Sequence, residues 1–205
     1  MMTLSPLQFM FPVFALAFAA AATAKAPYST DPGQLPLCAL PHGGDQGACR
    51  LPVANGGFER PRKDERPVPY WDTTGVARLG HESDNAYAVL NVGERARQVV
   101  AADVLIDPRV HSYVLHFRYR VTAAEGAVNA RLSLSDRDGI ETEMLGETAL
   151  AGAVGEWRNA ELVVAGKRWS GEMKVQVDIG NFSPFGLGIV DIDDVYLVSA
   201  PLDAR

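Results

Sequence analysis

The sequence predicts an all-β fold, a two-sheet antiparallel β-sandwich, over residues 53–200. Three observations carry it. Short runs alternate apolar and polar residues with period 2, turn chemistry separates them, and no amphipathic stretch of helical length occurs. Ser112–Val121 is the clearest run: Tyr113, Leu115, Phe117, Tyr119 and Val121 fall on one face. Ser112, Val114, His116, Arg118 and Arg120 fall on the other, so one face is buried and one is wet.

Two more runs repeat the logic. Val128, Ala130, Leu132 and Leu134 alternate with Asn129, Arg131, Ser133 and Ser135. Met173, Val175, Val177 and Ile179 alternate with Lys174, Gln176 and Asp178. Further strands are expected at 86–92, 98–106, 156–164 and 189–198, for a total of about eight to ten in two packed sheets. Asp136–Gly139, Ala165–Lys167 and Asn181–Gly188 read as turns.

Two segments precede the sandwich. Residues 1–24 contain no Lys, Arg, Asp or Glu, and Leu7–Ala22 is almost wholly apolar. With small residues at Ala22 and Ala24, this reads as a signal peptide cleaved near Ala24. The apolar run is shorter than the ~20 residues of a membrane span. A secreted or periplasmic product with no stable span after cleavage is expected; the alternative is an uncleaved anchor. Residues 25–52 form a loop-rich extension with four prolines between 27 and 41. In an oxidising compartment its two cysteines, Cys38 and Cys49, can close a disulfide. Two free buried thiols are the other reading.

Charge narrows the function. With 19 Lys+Arg against 25 Asp+Glu, the net charge is −6, and a nucleic-acid partner is not expected. The four histidines show neither HxH nor HExxH spacing, and GxSxG is absent, so no enzyme is expected. The acidic strand Asp191–Asp194 is the nearest approach to glycoside-hydrolase chemistry, which needs two carboxylates at a set separation.

The order of several motifs resembles a known group. Asn55-Gly56-Gly57-Phe58-Glu59 stands first, Trp71 and His81–Val89 follow, then Glu156-Trp157, and Ile192-Asp193-Asp194-Val195 comes last. This is similar to the galactose-binding-like jelly rolls, in particular carbohydrate-binding modules of the family-4/9/22 type. The resemblance implies a jelly roll whose first and last strands meet. It also implies a structural Ca²⁺ held by Glu59 and by Asp193 or Asp194, since carboxylate oxygens suit that ion. The alternative for these acids is turn capping or pairing with arginine.

The expected function is non-catalytic binding of a glycan or polysaccharide on a sheet face or loop edge. Tyr70 and Trp169 are the expected stacking rings. Arg118, Arg120, Arg131 and Gln176 are the expected hydrogen-bonding groups, forming one Arg-rich face suited to acidic sugars if their strands share a sheet. Trp71 and Trp157 are assigned to the core. The rival reading is an adhesin-like interaction protein with an envelope or secreted partner and no sugar site.

Overall fold

The computed structural model describes residues 31–38, 47–60, 66–74, 77–91, 95–104, 111–125, 128–136, 142–150, 153–165, 173–181 and 187–201. The signal segment 1–24, Trp169 and the turns at 137–139, 166–167 and 182–186 lie outside them. The described residues form two antiparallel sheets and one short 3-10 turn, Pro32–Gln34.

The strands are β1 (Cys49–Leu51), β2 (Asp72–Thr73), β3 (Arg78–Glu82), β4 (Asn85–Leu90), β5 (Arg95–Val104) and β6 (His111–Glu125). They continue with β7 (Val128–Asp136), β8 (Thr142–Leu150), β9 (Arg158–Ala165), β10 (Met173–Asn181) and β11 (Leu187–Pro201). The first sheet runs β3-β4-β11-β6-β9, with β1 also on β11; the second runs β2-β5-β10-β7-β8. Three expected strands carry the strong alternations, and all three form. The sequence reading did not propose β3 or β8. In β8, Thr142–Leu150 interleaves Gly and Glu with its apolar residues, which hides the period. Gly146 packs closely there: a Cβ would stand 3.1 Å from the Val164 side chain in the opposing sheet.

The core between the sheets takes the inward faces of both. Tyr113, Leu115, Phe117, Tyr119 and Val121 of β6 meet Val177 and Ile179 of β10, with Ile192 and Leu197 of β11. Each buried aliphatic or aromatic side chain contributes about 1.5–3 kcal/mol.

The two ends of the sandwich meet, as the resemblance implies. Val195 N donates to Gly56 O at 3.0 Å. A Cβ on Gly56 would lie 2.2 Å from Val195 O, so only glycine permits this approach. Asn55, at φ 54°, ties the same loop together. Its amide donates to Pro69 O, its side-chain oxygen accepts from Arg60 N, and its carbonyl accepts from the Trp71 indole. Phe58 packs on Trp71 with ring centroids 5.5 Å apart, both fully buried. Trp71 is thus core, as the sequence reading had it.

The extension is more than loop. Residues 31–38 form a strap: 31–35 cross the outer face of the first sheet, and 36–38 pair alongside β1, itself a strand of that sheet beside β11, with the Cys38–Cys49 disulfide closing the loop. Leu35 buries itself on Val114 and Val198, with Ala48 and Val163 beside them, making a second small apolar cluster. Cys38 N donates to Arg50 O, and Arg50 N to Pro36 O.

Candidate functional site

Beyond the strap, the outer face of the first sheet carries a dense cluster of polar and aromatic groups among the described residues. It is built from strand register. On β6 the outward positions are His116, Arg118 and Arg120, and β11 sets Tyr196, Asp193 and Asp191 directly opposite them. On the other side of β6, β9 sets Glu161 opposite His116 and Asn159 opposite Arg118.

Each arginine is held by two carboxylates. Arg120 donates from Nε to Asp191 Oδ2 at 2.9 Å and from Nη1 to Glu82 Oε2 at 2.8 Å. Arg118 donates from Nη2 to Asp193, and its Nε lies 2.7 Å from Asp194 Oδ2. Asn85 completes the Asp193 shell at 3.0 Å. Asp194 reaches this position because β11 bulges after Asp193: Asp194 has φ 49°, and Val195 turns into the core.

Trp157 lies on this face and not in the core, which corrects the expectation. Gly155, at φ 87°, donates to Val121 O and folds the 153–157 turn back along β6. The Trp157 ring then meets the Arg120 and Arg118 guanidiniums at 4.6 and 5.1 Å and the Tyr87 ring edge-on at 5.5 Å. It remains half-buried. Tyr87 lies flat over β3 because Gly80 has no side chain; a Cβ there would come 2.4 Å from the Tyr87 ring.

The electrostatics follow from burial. Burial raises the carboxyls of Asp191 and Asp193, while Arg120 and Asn85 respectively pull them back down. Glu82 is lowered, first by its hydrogen bond from Arg120. Burial holds His116 below its ordinary value, opposed by Glu161 at 3.4 Å and by Asp31 of the strap. The four carboxylates outnumber the two guanidiniums they hold. The arginine forks are therefore already paired with the protein's own carboxylates, which leaves less of them for an acidic sugar.

The other expected residues are dispersed. Arg131 and Gln176 stand on β7 and β10 of the second sheet, so they do not share a face with Arg118 and Arg120 of β6. In register, Arg131 is opposite Asp178 and Glu147, Arg97 is opposite Asp178 and Asp72, and charge alternates across all five strands. Tyr70 sits at the Asn55 loop with φ 70°, half-buried, with the Arg60 guanidinium 5.7 Å over its ring. Trp169 lies outside the described residues.

The calcium expectation meets a cation already in place. Asp193 and Asp194 share Arg118, Asp193 Oδ1 accepts from Asp194 N, and Glu59 Oε1 accepts from Ala86 N at 2.8 Å. A guanidinium between the two aspartates does not fit a calcium cage, whose ligands are oxygens alone. The pairing with arginine is the alternative the sequence left open.

No family model matches the chain, and no curated protein matches it. Similar folds occur among solved structures. A cyclase from Fischerella sp. in its apo form aligns with TM-score 0.54 and 14% identity, over 78% of this chain and 100% of its own. The Stig cyclase FisC from Fischerella sp. TAU, bound to an indole compound, aligns with TM-score 0.52 and 14% identity, over 76% and 100%. A family-4 carbohydrate-binding module aligns with TM-score 0.48 and 16% identity, over 74% and 100%. At these identities the likeness to the two cyclases, with TM-scores above 0.5, shows a shared fold alone. Among the described residues no helix is long and apolar enough to cross a membrane.

Proposed function

We propose that this chain is a secreted or periplasmic, non-catalytic glycan-binding protein whose site is the outer face of the first sheet. One observation carries the reading. A half-buried indole, Trp157, stands beside planar hydrogen-bonding groups fixed in place before any ligand arrives. Sugar recognition needs an aromatic surface for the ring's apolar side and rigid donors and acceptors for its hydroxyls. Arg118, Asp194, Glu82 and Asn159 are reachable from solvent, and the ion pairs hold the charged ones still. Binding then costs little ordering entropy. The disulfide supports an oxidising compartment.

Asp193, with a side chain only 1% exposed, is spent on structure, which supports binding without turnover. The test is affinity electrophoresis and calorimetry on a panel of neutral and acidic polysaccharides. Neutral glycans are expected to bind. Trp157→Ala should weaken binding at least about tenfold, while Met144→Ala, exposed on the second sheet, leaves it unchanged. A folded protein that binds nothing in the panel would favour the protein-interaction reading.

A further inference from the structure

The strap does more than close an edge. It lies on the same outer face as the Trp157 cluster, and the two are arranged in line along β6 and β11. Val114 is under the strap, packed by Leu35. His116 and Tyr196 come next, at the strap's margin. A Cβ on Gly33 would lie 3.4 Å from the Tyr196 hydroxyl, and the Arg50 guanidinium stands 5.8 Å over the Tyr196 ring. Arg118 and Arg120 follow, with Trp157 above them. From His116 to Arg120 the strand advances about 13 Å. The strap stands above the sheet at one end of this stretch and is anchored there at several points. They are the disulfide, the β1–β11 ladder, and the Arg50 Nε hydrogen bond to Leu35 O at 2.8 Å. At the other end Thr122 is exposed.

We infer that the strap is an end wall. The site takes the terminus of a glycan chain, or a short oligosaccharide, and not an internal segment of a polymer. A chain lying along β6 past Arg118 would run into Pro32–Leu35 and could not continue. The stretch from the wall to Arg120, about 13 Å long and including the Trp157 ring, matches the length of two or three sugar units. This inference rests on the glycan-binding reading of the same face and adds what kind of glycan it admits.

Chain ends can be counted separately from sugar mass, and that separates the two proposals. β-1,4-Galactan, β-1,3-glucan and xylan serve as probes, each intact and partially hydrolysed, with their oligosaccharides from two to five units. End recognition predicts binding capacity per gram that rises in proportion to the number of chain ends, and affinity that levels off by the trisaccharide. Capacity independent of chain ends, with affinity still climbing beyond three units, would overturn the end wall and leave glycan binding intact. Binding to none of the probes, intact or hydrolysed, overturns both. Strap removal supplies the second arm: the full chain lacking residues 31–38, with Cys49→Ser, checked for folding by its melting transition. It should bind intact polymer along its length and lose the dependence on chain ends. A dependence that survives strap removal counts against the wall.

Discussion

Individual residues at the meeting of the chain ends are set by contact geometry. Gly56 is the sharpest case. Its backbone lies against Val195 O so closely that an added methyl must push two segments apart. Gly56→Ala is expected to cost about 3 kcal/mol, seen as a lower denaturant midpoint with unchanged slope. Arg118 is a second case. Removing it strands Asp193, whose side chain is 1% exposed, next to Asp194. Arg118→Gln should cost about 2–4 kcal/mol, below the top of the range for buried pairs because the arginine is itself one-third exposed. The same ion pairs argue against a metal at Asp193 and Asp194. With Arg118 in place, the melting temperature should be the same in EDTA and in millimolar Ca²⁺. A chelator-dependent fall would mean that oxygens outside this cluster hold an ion.

Strands were legible in the sequence wherever one face was wet and the other buried without interruption. β6, β7 and β10 show period 2 over residues 112–121, 128–135 and 173–179, and all three form. β8 breaks its period with a register shift and a glycine, and β3 is a five-residue edge strand, so neither rises above its surroundings. Which strands share a sheet is not a local property. Arg118 and Arg131 look alike in their runs, yet one joins β11 and the other β10. Trp157 was hidden for a different reason: it lies just before β9, where alternation has not begun and the Gly155 turn decides which face it takes. The N-G-G-F-E motif, by contrast, was legible as a landmark. The structure shows its residues at a junction: Gly56 lies against Val195, Asn55 and Phe58 hold Trp71, and Glu59 accepts from Ala86 N. The strap is the element most dependent on a covalent tie, since its apolar cluster is small. Replacing Cys38 and Cys49 together by Ser should lower stability by about 2–3 kcal/mol, from the entropy of a loop spanning 11 residues in sequence. Loss should appear first as faster proteolysis within residues 31–51.

Across the whole molecule, one buried titratable group, His116, sits where the strap meets the sheet. His116 on β6 faces Glu161 from β9, Tyr196 from β11 and Asp31 from the strap. Burial keeps it neutral in the folded protein below its ordinary pKa of 6.5, whereas in the unfolded chain it takes a proton near 6.5. The unfolded state therefore binds more protons as pH falls through 6.5, and stability must fall with it. Asp191 and Asp193 work with the opposite sign: their folded carboxyls are raised above 3.8, so they add stability as pH falls through their folded values. A mildly acidic solution thus loosens the strap side before the carboxylates respond. The melting temperature of the intact protein should drop between about pH 7 and pH 5.5, as the unfolded chain's histidine takes its proton. Amide exchange in residues 31–38 should accelerate over the same range. His116→Gln keeps a polar side chain of similar size without the titration, so its melting temperature should be flat there. If wild type and His116→Gln decline in parallel, the acid sensitivity belongs to another group, and the strap is not held through His116.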